Sequence, residues 1–312
     1  MKRPLALCLV TLAVLAALPA APASAAFPGR NGLIAFERFD AVNPLGEIRS
    51  MTRTGAADTN LTASPLVEDR DPAWSPDGSR IAFRRANAGP DQLWIMKANG
   101  AGLAVVPGSG TAGRPDWSPD GKWLVYECWV PLTTETDICV RTDAGGGFAA
   151  LTATAGISER RPVWSPDGTR IVFSRELPAG AGSFLVSLDL KSLVLTAITP
   201  QVAGTYDGWP DWSPDSGQLA FSRFVVGSGS GGAIHRVDAT GAGLTLVTAP
   251  MPGTDAHHTM PAWSPDGKRI AYVHLDDDEA WGHIYIIKPD GTLNTQITFG
   301  AATDESPDWQ RT

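Results

Sequence analysis

A single motif recurs along this chain and leaves few folds open to it. Asp71-Pro-Ala-Trp-Ser-Pro-Asp-Gly78, Arg114-Pro-Asp-Trp-Ser-Pro-Asp-Gly121 and Arg161-Pro-Val-Trp-Ser-Pro-Asp-Gly168 come first. Trp209-Pro-Asp-Trp-Ser-Pro-Asp215, Met260-Pro-Ala-Trp-Ser-Pro-Asp-Gly267 and a truncated Ser306-Pro-Asp-Trp309 follow. The repeat tryptophans, Trp74, Trp117, Trp164, Trp212, Trp263 and Trp309, stand 43, 47, 48, 51 and 46 residues apart. A unit of this length cannot bury its apolar face alone and must stack on its neighbours, and about 40–50 residues is the length of a four-stranded propeller blade.

Within each period the residue types change as four strands require. Strand A carries Pro-x-Trp-Ser, and Ser-Pro-Asp-Gly then makes a tight turn, with Pro presetting φ at the second position and Gly accepting the left-handed fourth. Strand B is short and apolar, as in Arg80-Ile-Ala-Phe83, Arg170-Ile-Val-Phe173 and Arg269-Ile-Ala-Tyr272. Strand C follows a loop, as in Leu93-Trp-Ile-Met96, and a Gly-containing turn leads to a strand D ending in Leu61-Thr62, Leu151-Thr152 or Ile297-Thr298. With 33 Gly and 25 Pro in 312 residues, the chain is punctuated for turns and not for helices. Its 43% hydrophobic content, 11 Trp included, supplies the core that a disordered chain lacks.

The two ends of the chain complement each other. Asn31-Gly-Leu-Ile-Ala-Phe36 reads as a strand B with no strand A ahead of it, and Ser306–Trp309 reads as a strand A with no strand B behind it. The expectation is an all-β, six-bladed β-propeller of four-stranded antiparallel blades. The C-terminal strand would complete blade 1 (residues 33–64 with 306–310) and leave no free sheet edge at the seam.

These Trp-Ser-Pro-Asp-Gly repeats, with their Ile-Ala-Phe strands and Leu-Thr ends, resemble the TolB-type six-bladed β-propeller, a WD40-like repeat class. The resemblance covers residues 27–312. It implies an exported propeller that mainly binds other proteins, or one appended to a prolyl-oligopeptidase-like hydrolase. The TolB N-terminal α/β domain is not expected here, because the first strand follows the leader directly.

Lys2 and Arg3, the apolar stretch Leu5 to Leu18, the break at Pro19 to Pro22 and Ala23-Ser24-Ala25 form the succession of a secretory signal. Residues 1–25 are therefore expected to be cleaved. Residues 26–312 then form a single propeller domain of an exported protein, periplasmic or extracellular in a bacterial envelope. Cleavage takes two cations and no anion from a net charge of −8, leaving −10, and an acidic chain offers no basic footprint for nucleic acid. A monomer with no membrane span in the mature chain is expected. Cys8 leaves with the signal, so Cys128 and Cys139 remain as an even pair in an oxidising compartment. A disulfide across a local hairpin is the main reading, and two inert free thiols are the alternative.

No G-x-S-x-G, H-E-x-x-H or G-x-x-x-x-G-K-[ST] motif occurs, so the sequence points away from an enzyme. The A–B and C–D turns are short and alike. The B–C loops, among them residues 38–46, 129–136, 225–232 and 275–282, are longer and differ, and together with the D–A connections they should form the binding face for a protein or glycan ligand. Candidate binding residues on that face are His257, His258, His274, Asp276, Asp277, Asp278 and Trp281. Asp276–Glu279 does not fit the D-x-D-x-D-G calcium template, so a solvated acidic loop and a contact for a cation or basic partner both stay open. No cofactor is expected. His258 and His274, with His257 and Asp276, would admit a divalent cation in an alternative reading as a metal-dependent lyase or hydrolase.

One further pattern runs through the repeats. Five residues before each repeat Trp stand Asp69, Ala112, Glu159, Asp207, His258 and Asp304. Two residues after each strand-B aromatic stand Arg85, Cys128, Arg175, Arg223, His274 and Arg38. Acid goes with Arg in four repeats, Ala with Cys in one and His with His in one. This matched variation predicts contact, as acid–Arg latches holding each D–A connection to its blade, with a ring of ligand-binding groups as the functional alternative. As surface pairs they would be worth only about 0–1 kcal/mol each.

Overall fold

The structure, a computed structural model, describes residues 29–41, 44–86, 89–129, 135–228, 231–249, 256–276 and 282–312. The expected signal segment 1–25 and the loop residues Asp277, Asp278 and Trp281 lie outside these. In chain order the strands begin with β1 Asn31–Phe39, β2 Glu47–Met51 and β3 Thr59–Asn60, followed by β4 Glu68–Trp74, β5 Arg80–Ala86, β6 Gln92–Lys97 and β7 Ala104–Val105. Next come β8 Ala112–Trp117, β9 Trp123–Trp129, β10 Thr136–Thr142 and β11 Ala149–Ala150, then β12 Glu159–Trp164, β13 Arg170–Glu176, β14 Ser183–Asp189 and β15 Leu195–Ala197. The remainder are β16 Thr205–Trp212, β17 Gln218–Val225, β18 Ala233–Asp238 and β19 Thr245–Leu246, then β20 His257–Trp263, β21 Ile270–Leu275, β22 Gly282–Ile287, β23 Thr295–Gln296 and β24 Thr303–Arg311. Among the described residues the one helical element is a 3-10 turn at Pro178–Gly180, and no helix is long and apolar enough to cross a membrane.

The protein is all-β and built of four-stranded antiparallel sheets. Three follow the repeat order directly: β4-β5-β6-β7, β8-β9-β10-β11 and β20-β21-β22-β23. A fourth runs β24-β1-β2-β3, so the last strand of the chain pairs with the first, with Ile34 opposite Trp309 and Arg38 opposite Asp304. The fifth sheet is eight-stranded. It consists of β12 to β15 and β16 to β19, joined by a single parallel pair, Ser183 with Tyr206.

Burial falls between these units. Each repeat Trp packs against the preceding unit: Trp74 sits with Ile48 and Leu61, and Trp164 with Val125 and Ile138. The same holds across the chain ends, where Ile34, Met51 and Trp309 share a core with Ala271, Ile284 and Ile286. In the A–B turn the Ser75 Oγ donates to Asp77 at 2.6 Å and accepts the Arg80 N–H at 2.9 Å, while Gly78 takes φ +66°. The equivalent Asp215 is held below the usual carboxylate range by the Ser213 hydroxyl and the Gly217 N–H.

Strand D is shorter than the sequence suggests, pairing over only two or three residues, and the Leu-Thr signature lies beyond it. Its Thr has another task. Thr62, Thr152, Thr199, Thr248 and Thr298 each present Oγ1 to the backbone N–H of a strand-C residue at 2.8–3.1 Å, and Ser109 does so in the remaining unit. The hydroxyl takes over a ladder bond that the ended strand D no longer supplies.

Every strand A is bulged beside its Pro. The register slips between Arg70 and Ala73, Gly113 and Asp116, Arg160 and Val163, Gly208 and Asp211, and Thr259 and Ala262, with a matching slip opposite Ser306. Pro has no N–H for the ladder, which is why it sits at a bulge. The residue ahead of it adopts the left-handed region each time: Asp71 φ 55°, Arg114 50°, Arg161 56°, Trp209 53°, Met260 53° and Ser306 50°.

Candidate functional site

The bulges decide what one end of the molecule presents. A cavity of about 130 Å³ is lined by three consecutive residues from each of β4, β8, β12, β16, β20 and β24, namely the left-handed residue, its Pro and the next. Asp116, Asp211 and Asp308, from alternate units, each accept the backbone N–H of the next unit's Trp: Trp164 at 2.7 Å, Trp263 at 2.5 Å and Trp74 at 2.6 Å. Burial pushes Asp116 up to about 6, Asp308 to about 7 and Asp211 to about 8, where the other two carboxylates add repulsion.

Above them lie the left-handed side chains. Arg114 and Arg161 stand over the Trp209 ring at 4.4 and 4.3 Å. Arg114 reaches Asp71 at 3.5 Å and Glu127 at 3.4 Å. Glu127 also accepts the Arg161 N–H at 2.7 Å. Glu37 accepts the Ser306 hydroxyl at 2.7 Å and the Asp71 N–H at 3.1 Å, and burial, then Asp71 and Glu305, push it up to about 8. Sequence reading missed this group. The signal was in the motif itself: Pro-x-Trp stays fixed while the residue ahead of it changes through Asp, Arg, Arg, Trp, Met and Ser. Left-handed residues other than Gly store strain, and a bulge re-aims a side chain.

A second cavity, of about 560 Å³, opens beside the first and shares Arg161, Trp209 and Met260 with it. An aromatic row edges it, with Tyr206 and Phe224 at 6.3 Å and Phe224 and His257 at 5.4 Å between ring centroids. His257 and His258 line it, and His257 Nδ1 accepts the Gly232 N–H at 3.0 Å. His258 faces His274 across β20 and β21, but the rings lie tilted with centroids 5.0 Å apart and no hydrogen bond joins them. The Nδ1 of His258 is buried without a partner, and burial, then His274 and His257, push its imidazole down to about 4. His274 turns away to Asp276 at 3.4 Å. His283, across from His274 on β22, extends the row and was not singled out in the sequence. Among the described residues no three His, Cys, Asp or Glu groups are placed to hold a metal ion.

The acid and Arg of the matched repeats are cross-strand neighbours throughout. Asp69–Arg85 pairs through two hydrogen bonds at 2.5 and 2.7 Å, Asp207–Arg223 at 2.6 and 2.7 Å, and Asp304–Arg38 at 2.6 and 2.9 Å. Glu159, one methylene longer, comes only to 3.5 Å from Arg175, and its carboxylate makes no hydrogen bond to it. These are not surface pairs: all four acids are 0% exposed. Burial raises Asp69, Glu159 and Asp304 above the usual carboxylate range, against the pull of their Arg partners and neighbouring Thr hydroxyls. Ala112 lies opposite Cys128, which is bonded to Cys139 with their Cα atoms 5.9 Å apart.

This architecture has known counterparts. TolB from Acinetobacter baumannii superposes with a TM-score of 0.75 at 18% identity, over 97% of this chain and 71% of that one. The protein assigned as TolB in Agrobacterium tumefaciens gives 0.65 at 21% identity, over 90% and 92% of the two chains. An oligogalacturonate lyase from Vibrio parahaemolyticus gives 0.54 at 15%, over 86% and 74%. At such identities the likeness is one of fold, shared by TolB proteins and a lyase alike. No curated protein matches the sequence. The model of the TolB beta propeller domain matches residues 43–203, more than half of the sequence, and the chain belongs to that family.

Proposed function

We propose that the four-stranded units close as one six-bladed ring, and that the ring is an exported, non-catalytic scaffold binding a protein or glycan partner through its loop-rich mouth. The observation that carries this reading is the set of six left-handed residues, which aim chemically different side chains into one opening from a repeated frame. Strain held at equivalent positions of every unit is what a binding surface uses to fix its groups in place. Closure is supported by the pairing of β24 with β1, by the core shared across the chain ends and by the cavity to which all six A strands contribute. The buried acid–Arg pairs serve as latches that hold strand A in register with strand B in the four units that carry them. Export is supported by the composition of residues 1–25, and a mature mass beginning at Ala26 after expression in a secreting host would test it.

The mouth is tested by tethering the protein through its Ser-Pro-Asp-Gly face and probing it with envelope extract and a glycan array. The Tyr206→Ala/Phe224→Ala variant should lose the bound partner, while Lys122→Ala/Lys268→Ala, on the opposite face, should keep it. The reverse pattern would place the binding surface elsewhere.

A further inference from the structure

The pocket beside the cavity of the six A strands holds a cation that no described side chain pairs with directly, with Glu127 and Asp71 near enough only to attract it. Of the three arginines lining it, Arg160 pairs with Glu176 at 2.8 Å and Arg223 with the buried Asp207. Arg161 makes no side-chain hydrogen bond or ion pair with any described residue, and its Nε is buried without a partner. The nearby acids are occupied, since Asp71 and Glu127 both serve Arg114. Burial, then Arg114, pushes the Arg161 guanidinium down to about 9. A half-buried charge left unpaired destabilises the fold, and it stands out in a chain of net charge −8. Its geometry is fixed at both ends, by the left-handed backbone and by Trp209 at 4.3 Å.

We infer that Arg161 anchors the C-terminal carboxylate of a protein partner, whose last side chain rests on the row Tyr206, Phe224 and His257. The inference rests on the mouth being the binding surface. The planar guanidinium fork suits a carboxylate, and capture of a chain terminus is an established mode of peptide recognition. The anion must be single and terminal. The other two arginines of the pocket are already paired, Arg160 with Glu176 and Arg223 with Asp207, so a ligand bearing a carboxylate on every unit would find one unpaired arginine among the residues that line it. The cavity, at about 560 Å³, falls within the range of small-ligand pockets and can take the last residues of an extended chain.

The probe is N-acetyl-Ala-Ala-Phe as the free acid and as the C-terminal amide, measured by ligand-observed NMR against wild type, Arg161→Gln and Arg161→Lys. The acid should bind wild type at least tenfold tighter than the amide. Arg161→Gln should erase that preference, Arg161→Lys should keep part of it, and Arg161→Gln should melt no lower than wild type because an unpaired charge has gone. Equal binding of acid and amide, a preference surviving in Arg161→Gln, or no saturable binding of the acid would each overturn the inference. So would Arg161-dependent binding of digalacturonate without binding of the peptide. If Tyr206→Ala/Phe224→Ala loses the natural partner while acid and amide bind alike, the carboxylate anchor falls and the mouth stands; if partner capture ignores the mouth, the broader reading falls.

Discussion

At Asp69 a carboxylate with no exposed surface meets Arg85 through two short hydrogen bonds, whereas the equally buried Glu159 stops 3.5 Å short of Arg175. Losing one partner of a well-made buried pair strands a charge, and losing a partner that was scarcely engaged does not. Arg85→Met should therefore cost about 3 kcal/mol and Arg175→Met less, because no hydrogen bond to the carboxylate is lost there, read from urea midpoints; equal losses would show that the pairing geometry carries no energetic weight. His258 sets a pH dependence of its own. Its folded pKa, about 4, lies below the ordinary 6.5, so the unfolded chain takes up the proton first as pH falls. The contribution of this residue is thus intact above pH 6.5 and declines between 6.5 and 4, by at most about 3 kcal/mol, while Glu37, Asp116, Asp211 and Asp308, raised above the usual carboxylate range, act in the opposite sense. The stability difference between His258→Gln and wild type should be constant above that window and shift in favour of the variant below it; a difference that does not change with pH would contradict the assignment. The latch positions were legible because acid and Arg change together from repeat to repeat. Arg161 was not, because the Pro that marks the bulge does not by itself show that the residue ahead of it turns left-handed into the mouth.

The strands show the same division between what a local pattern reveals and what pairing decides. Strands A and B were readable because the short apolar run of strand B, buried residue after residue, and the Ser-Pro-Asp-Gly turn are encoded within a few residues. The sequence predicts a strand D that runs to the Leu-Thr pair, but the ladder ends earlier and the Thr hydroxyl substitutes for it, a role that needs strand C in place to be seen. The β9–β10 hairpin carries the clearest prediction at this scale. Cys128 lies opposite Asp137 and Cys139 opposite Tyr126, so the disulfide crosses the pair diagonally. Thiol titration of the unfolded, unreduced protein should find no free thiol. Reduction should cost about 3 kcal/mol, the chain-entropy value for a closed loop of about a dozen residues. Two titratable thiols would leave the hairpin without its staple.

Across the whole molecule, the first and last strands do what a turn does elsewhere. Arg30 and Thr312 exchange backbone hydrogen bonds at 2.9 and 3.1 Å, Asp308 caps Trp74 of the following unit, and the Trp309 indole donates to the Ala262 carbonyl at 3.2 Å. The last ten residues thus touch the units on either side as well as their own. Removing Thr303–Thr312 would expose the edge of β1 and open the core that holds Ile34 and Ile284. That truncation should lose cooperative unfolding. A circular permutant separates the loss of these contacts from the mere shortening of the chain. Thr312 is joined to Arg30 through a Ser-Pro-Asp-Gly turn, and new ends are cut at the exposed Phe299–Gly300 connection, so every strand is retained and only the seam moves. The permutant should melt cooperatively within a few degrees of wild type while the truncated chain does not. A truncated chain that melts like the intact one would mean that the sheets are held without closure, and the six-bladed ring would have to be given up.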